Sequence, residues 1–104
     1  MNKFRDAIIQ RNDIPEDIMP LIPDYLARRF DDGTRLRSLL ESKSFESIQS
    51  VSHKMKGSGT TYGFAVLTEL AAELEDAAEQ KDERTIGYLL DDYDVIVSRI
   101  KAML

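Results

Sequence analysis

The sequence predicts an all-α fold, an antiparallel up-down-up-down four-helix bundle with a short N-terminal helix or arm. Apolar residues recur every three or four positions through most of the chain, which is the spacing of a helix face and fits no strand alternation. The three prolines all lie before residue 24, so none interrupts the helical pattern after that point. The stretches between the apolar stripes are only a few residues long, which favours antiparallel neighbours.

The N-terminal segment, residues 1–14, is predicted to be the short helix or arm, and residues 15–104 are predicted to be the bundle. Phe4, Ala7 and Ile8 are the apolar residues of the arm that we expect to cover one end of the domain. Both segments belong to one domain, because 104 residues leave no room for a second core of ordinary size.

The first two bundle helices are predicted from about Pro20 to Ser42 and from Ser44 onwards. Pro20 and Pro23 fit a first turn, where backbone N–H groups have no partner within the helix. Gly33 marks either a close approach of another helix or a local kink, and Ser44 is placed to cap the second helix. The apolar stripes of these helices are Leu21, Ile22, Tyr25, Leu26, Leu36, Leu39 and Leu40, and then Phe45, Ile48, Val51 and Met55.

The last two helices are predicted to form a hairpin, because the separator between them is too short for any other arrangement. The third helix ends near Gln80, and the carboxylate of Asp82 is placed to cap the fourth by accepting orphan amide protons. Their stripes are Leu67, Leu70, Ala71, Leu74, Ala77 and Ala78, and then Ile86, Leu89, Leu90, Tyr93, Ile96, Val97, Ile100, Met103 and Leu104.

Charge and composition exclude several classes of function. Residues 1–68 hold 10 basic and 9 acidic residues, whereas residues 69–104 hold 4 basic and 10 acidic ones, so the last third would repel nucleic acid. The absence of cysteine excludes disulfides, Cys-ligated zinc and thiol chemistry. No apolar run is long enough to span a bilayer, and the charged start does not resemble a signal peptide. We therefore expect a cytoplasmic domain that binds neither nucleic acid nor membrane.

The only histidine, His53, is the one place where the sequence predicts chemistry. At about 100° per residue it points roughly 145° away from the apolar stripe of its helix, towards solvent. An exposed histidine on its own is usually no more than a surface residue. Here Gly57 lies one turn further on and costs about 1 kcal/mol of helix stability relative to Ala. A glycine at this position indicates that a bulky partner must reach the ring. Lys56, three residues on, can bend towards an anion at the imidazole.

Other chemistries fit these residues badly. A carboxylate di-iron site needs Glu three residues before a histidine, where this chain has Ser50, and it needs a second histidine. Zinc would have only one His and carboxylates, which is uncommon. Ser58 does not lie in a G-x-S-x-G elbow after a strand. The glycines at 57, 59 and 63 lack the Gly-Lys-Ser/Thr end of a phosphate-binding loop, and Gly63 fits a turn between helices. No metal site is therefore predicted.

The stretch His53-Lys54-Met55-Lys56-Gly57 followed by Gly63 resembles the H-x-x-K-G-x-x-x-x-x-G signature of histidine phosphotransfer (Hpt) domains of bacterial phosphorelays. The resemblance covers about residues 14–104, including the later stretch LTELAAELEDAAEQKD. It implies that His53 is the phosphoryl acceptor, through Nε2, and that Lys56 is the charge partner. It further implies that Gly57 gives steric clearance and that Gly63 forms the turn into the next helix.

One departure from the family concerns the neighbouring helix. Some members place Gln or Arg there, near the phosphorylated ring, whereas this chain offers Glu73, Glu75 and Glu79. The rival class that also carries a phosphohistidine, the kinase dimerisation domain, has an acidic residue after the histidine and a proline a few residues later. Here Lys54 follows the histidine, no proline occurs after residue 23, and no nucleotide-binding domain fits beside the bundle.

The resemblance implies a monomeric phosphorelay intermediate, not an enzyme with autokinase activity, whose partners are response-regulator receiver domains and a sensor or hybrid histidine kinase. The receiver would supply Mg²⁺, so no cofactor is expected in this chain. Met1 favours an independent protein over a piece of a hybrid kinase. The alternative is a non-catalytic helical docking module of a signalling system that uses the same face. Candidate docking residues are Gln49, Ser50, Thr60 and Tyr62, whereas packing inside the bundle is favoured for Phe64.

Overall fold

Four antiparallel α-helices build the fold of the part of the chain that the structure describes. The computed structural model describes residues 4–6, 14–61 and 64–103, except for the side chains of residues 58–61. A short 3-10 helix, Glu16–Leu21, precedes α1 (Ile22–Glu41), α2 (Phe45–Thr61), α3 (Ala65–Glu79) and α4 (Glu83–Ala102), and the described residues include no strand. Each helix packs against the next, and α4 packs back against α1, so the four surround one core. This arrangement confirms the predicted bundle.

The core is formed by the apolar stripes that the sequence predicts. Leucine and isoleucine side chains from all four helices meet in it, and Tyr25 of α1 and Tyr93 of α4 are its largest fully buried side chains. Burial of Tyr93 raises the pKa of its phenol, and the hydroxyl donates a hydrogen bond to the Arg29 carbonyl at 2.6 Å. The pairing anchors α4 on α1 and gives a buried polar group the partner that it needs.

The start of α1 differs from the prediction by two residues. Pro20 belongs to the 3-10 helix, and α1 begins at Ile22 with Pro23 in its first turn, the position that tolerates a missing N–H. Gly33 is a point of close approach. A Cβ there would lie 3.0 Å from Cε1 of Tyr93 and 3.6 Å from Oδ1 of Asp94, so the absent side chain lets α4 pack closely.

The two turns at one end of the bundle share the same geometry. Lys43 and Lys81 each have a φ of 56°. At the end of α1 the next residue, Ser44, donates its N–H to the Leu39 carbonyl at 2.9 Å, and at the end of α3 Asp82 donates to the Ala77 carbonyl at 2.9 Å. Both are Schellman motifs, in which a left-handed residue lets the chain satisfy the last helical carbonyls.

The predicted cap of α4 is confirmed. Oδ1 of Asp82 accepts the Thr85 N–H at 3.2 Å, and Oδ2 accepts the Thr85 hydroxyl at 2.6 Å. These two bonds lower the pKa of the Asp82 carboxyl, the one from the hydroxyl most. The carboxylate thus both satisfies an orphan amide and places negative charge at the positive end of the helix dipole.

The described part of the N-terminal segment packs on α4. Phe4 and Ile14 are buried in the same core as the helices, whereas Ala7 and Ile8 lie outside the described residues. The Phe4 N–H donates to Oδ2 of the fully buried Asp92 at 3.1 Å. Arg5 places Nε 3.5 Å from Oδ1 of the same carboxylate. The arm therefore supplies the polar contacts that a buried carboxylate requires.

Candidate functional site

The site is built on the outer face of α2. Ile48, Val51 and Met55 of α2 are buried, which turns the opposite face of the helix outwards. His53 lies on that face, and 70% of its side chain is exposed. The imidazole is therefore accessible to another protein while its helix stays anchored in the core, as the helical spacing predicts.

One carboxylate on α3, that of Glu75, bonds both the imidazole of His53 and the ammonium of Lys56. Its Oε2 lies 2.8 Å from Nδ1 of His53, and its Oε1 accepts a hydrogen bond from Nζ of Lys56 at 2.9 Å. The His53 and Lys56 side chains are thus joined through one residue of the neighbouring helix. This bridge fixes the imidazole from one side and leaves the other ring nitrogen without a bond to Glu75.

The charge state of Glu75 decides which nitrogen of the imidazole carries the proton. The hydrogen bond from Lys56 lowers the pKa of the Glu75 carboxyl most, burial opposes it, and the contact with His53 lowers it further. An ionised carboxylate only accepts hydrogen bonds, so Nδ1 must be the protonated nitrogen in this contact. In a neutral imidazole the other nitrogen, Nε2, then carries the lone pair.

Gly57 lies one turn beyond His53 on the same exposed face. A Cβ built at this position meets nothing within 4 Å, so packing inside the domain does not require glycine here. Glycine weakens an exposed helix interior by roughly 1 kcal/mol relative to alanine. The space above the imidazole is therefore kept open at some cost in helix stability.

Lys56 lies between the core and the surface, with 37% of its side chain exposed, and its ammonium is directed to Glu75. The sequence predicts that Lys56 flanks the imidazole, and the structure brings it to the same carboxylate as His53. To approach an anion at Nε2 of His53, the Lys56 ammonium must either leave the Glu75 carboxylate or contact both groups at once. The flexible four-carbon stem of lysine allows such a movement.

The candidate docking residues fall into two groups. Ser50 is exposed and Gln49 is half-buried on α2, whereas Tyr62 and the side chain of Thr60 lie outside the described residues. Gly63, predicted as the turn residue, also lies outside them. Phe64, for which packing was favoured, is indeed buried. Its ring stacks on that of Tyr25, with the centroids 5.7 Å apart.

Sequence reasoning placed Glu75 near the ring only as one of three acidic residues on the next helix. The pattern of α3 alone cannot select it, since Glu73 and Glu79 are also polar positions of the same helix. A helical wheel of α3 narrows the choice, because it places Glu75 next to Leu74 and Ala71, on the side of the helix that faces α2. A register between α2 and α3 is needed as well, and only packing supplies it.

Metal-binding clusters and membrane-spanning helices were sought among the described residues. No group of three or more His, Cys, Asp or Glu side chains in that part of the chain could hold a metal ion. No helix there is both long and apolar enough to cross a membrane.

The fold and the site together define a class of protein: a helical bundle that presents one exposed, carboxylate-bound imidazole on its surface. The family model described as Hpt domain matches residues 21–104, and the chain belongs to this family. Domains of this family are histidine-containing phosphotransfer modules of two-component relays and act as phosphocarriers rather than catalysts. Searches of the curated proteins and of the solved structures found no significant match.

Proposed function

We propose that this chain accepts a phosphoryl group on Nε2 of His53 from the aspartyl phosphate of a receiver domain and passes it to the aspartate of another receiver. One observation carries the proposal. The imidazole is mostly exposed, and its Nδ1 lies 2.8 Å from a carboxylate, which leaves Nε2 as the outward nitrogen. A positioned imidazole with a free lone pair is a nucleophile near neutral pH.

The Nε2 lone pair of His53 attacks phosphorus, a P–N bond forms, and the P–O bond to the receiver aspartate breaks with its electron pair leaving on the carboxylate. Because Nδ1 keeps its proton, the phosphorylated ring carries a positive charge. The carboxylate of Glu75 lies against that proton and stabilises the charge as it develops. The return step reverses these bonds onto a second aspartate.

The other residues of the signature support the step without covalent chemistry. The Lys56 ammonium offsets negative charge on the transferring oxygens, an electrostatic role. The open space above Gly57 admits the receiver to the ring. The receiver supplies Mg²⁺ and its own acidic residues, so the chain itself needs no cofactor.

The experiment is transfer of labelled phosphate from a panel of phosphorylated receiver domains to the wild-type chain and to His53→Gln, followed by mass spectrometry. The wild type is expected to carry one phosphoramidate on His53, stable in alkali and lost in acid, which a second receiver removes. ATP alone should give no label. Phosphate retained in His53→Gln, or found on Ser58, Thr60 or Thr61, would contradict the proposal. Binding of receivers without transfer would favour the non-catalytic docking module instead.

A further inference from the structure

The groove between α1 and α2 lies beside the exposed face of His53. Its volume is about 250 Å³, its floor is formed by Val51 and Met55, and polar side chains form its walls. We infer that this groove, called the α1/α2 groove below, is the docking site for an acidic segment of the partner receiver domain. The inference rests on the proposed function and adds where, and in which orientation, the receiver binds.

The charge of the α1/α2 groove is positive. Arg29 and Asp32 in its wall pair with each other at 2.8 Å, so together they add little charge. Arg35 and Lys54 also line the groove. Both are exposed, and neither is in an ion pair with another described residue. Two positive charges are therefore available to a partner, on a chain whose net charge is −5.

Only small residues lie on the surface of α2 between His53 and the groove. Around α2, at about 100° per residue, Gly57 and Ser50 lie between His53 and Lys54. Ser50 is itself part of the groove wall, and Gly57 has no side chain. A partner segment can therefore lie in the groove and reach the imidazole across these two small residues without meeting a bulky side chain.

The opposite side of His53 has the reverse character. There α3 contributes Glu75, whose charge is already shared by Lys56 and His53, and beyond it the exposed acids Asp76 and Glu79. An acidic segment would be repelled on that side and attracted on the α1/α2 side. The asymmetry selects one orientation of the partner about His53.

A receiver domain has the chemistry that this groove fits. The aspartyl phosphate that it carries is an anion, and acidic side chains on the receiver surface beside that phosphate would be attracted by Arg35 and Lys54. Opposite charges on two docking surfaces speed association and fix orientation, and this effect weakens as salt is added. The α1/α2 groove therefore acts on the encounter with the receiver rather than on the chemistry at Nε2.

The test compares three single charge reversals: Lys54→Glu and Arg35→Glu in the groove, and Lys101→Glu as the matched control. Lys101 undergoes the same change of charge but lies on α4, with its ammonium 5.6 Å from the Phe30 ring centroid, away from the groove. The donors are the phosphorylated receiver of the panel that transfers fastest to the wild type, and phosphoramidate, a small donor that needs no docking. For each variant we divide the rate of labelling by the receiver by the rate of labelling by phosphoramidate, and we compare this ratio across salt concentrations.

At low salt the ratio is expected to fall by about tenfold in Lys54→Glu and Arg35→Glu, with a flatter salt dependence, and to stay at the wild-type value in Lys101→Glu. Ratios in the groove variants equal to that of Lys101→Glu would overturn the docking inference while leaving the proposed function in place. Failure of the wild type to be labelled on His53 by either donor would contradict the proposed function itself, and this inference with it.

Discussion

At the scale of single residues, Glu75 distinguishes the site from an ordinary exposed histidine. It holds Nδ1 of His53 at 2.8 Å and Nζ of Lys56 at 2.9 Å. The contact with Nδ1 selects the tautomer that leaves Nε2 nucleophilic, and the contact with Lys56 keeps the carboxylate ionised. Glu75 is therefore a positioning residue, which acts through His53 rather than on the phosphoryl group.

Glu75→Gln is expected to slow single-turnover transfer to His53 by roughly 10- to 100-fold, because an amide neither fixes the tautomer nor stabilises the positive ring. A merely structural role would not change the tautomer, so ¹⁵N NMR of the imidazole is measured alongside. We expect the Nδ1–H tautomer of His53 to predominate over the Nε2–H tautomer in the wild type, and no longer to predominate in Glu75→Gln. Glu69→Gln, an exposed position on another face of the same helix, is the control and should behave as the wild type.

The same carboxylate gives a pH-dependent contribution to stability. The Lys56 hydrogen bond lowers the Glu75 pKa below its ordinary value of 4.5. The contribution is fully present above about pH 4.5 and is lost as the pH falls through the lower folded-state pKa. The difference in unfolding free energy between wild type and Glu75→Gln, from urea titrations, should therefore shrink below about pH 4.5. A difference that stays constant down to the acid transition would contradict this assignment.

Two glycines of the bundle form a natural comparison. A Cβ meets nothing within 4 Å at either Gly57 on α2 or Gly87 on α4. Leucine at either position should raise the unfolding free energy by up to about 1 kcal/mol, through helix propensity. Only Gly57→Leu should block transfer from a receiver, because only position 57 lies one turn above His53. Equal transfer rates for Gly57→Leu and Gly87→Leu would show that position 57 needs no clearance.

The part of the site that lies within one helix could be predicted from the sequence. His53, Lys56 and Gly57 are three and four residues apart, and helical geometry alone places them on adjacent faces. Glu75 lies 22 residues further on, in another helix. Its approach to His53 depends on the register of α3 against α2, which is set by side-chain packing and has no local signature.

At the scale of elements, the helices and the ends of α1 and α3 could be predicted, but the left-handed residue that follows each of these two ends could not. The apolar stripes identified all four helices, and Asp82 caps α4 as expected. Glycine is the usual signal for a left-handed residue at a helix end. Here lysine occupies that position twice, with a φ of 56° at both Lys43 and Lys81, so the sequence contains no sign of either Schellman motif.

Lys81→Gly is expected to stabilise the domain by about 1 kcal/mol, because glycine adopts positive φ without the clash of a Cβ with the backbone. Lys81→Ala removes the same side chain but keeps the Cβ, and it should give no such gain. Position 81 is preferable to 43 because Lys43 also lies 3.5 Å from Glu83 in an exposed ion pair. Urea unfolding of the three proteins measures the effect. Equal stability of the glycine and alanine variants would assign any change to the side chain instead.

At the scale of the whole molecule, the described residues of the N-terminal segment, 4–6 and 14, pack on the bundle although the family match begins only at residue 21. The sequence predicts an arm that covers one end of the bundle, and Phe4 is buried as that prediction requires. It does not predict the arm's polar anchor. Asp92 is fully buried, where Arg5 and the Phe4 N–H contact it. In the sequence it stands beside Asp91, and acidic residues in a helix ordinarily indicate a solvated face.

Phe4→Ala is expected to cost about 3 kcal/mol of unfolding free energy, the usual loss when a buried phenylalanine is truncated. Loosening of the arm would add to this loss, because the buried Asp92 side chain would lose the hydrogen bond that it accepts from the Phe4 N–H. Phe30→Ala makes the same chemical change at an exposed ring and should cost less than about 1 kcal/mol. Urea unfolding monitored by circular dichroism compares the two variants with the wild type.

The same variant separates the stability of the bundle from the activity of its site. The arm contacts α4 through Asp92, whereas His53 and Glu75 lie on α2 and α3. Phe4→Ala should therefore transfer phosphate at the wild-type rate at temperatures well below its own unfolding midpoint, and lose activity only as it unfolds. If Phe4→Ala had the same unfolding free energy as the wild type, the arm would contribute nothing to the core. A slower transfer by the fully folded variant would show that the arm also influences the site.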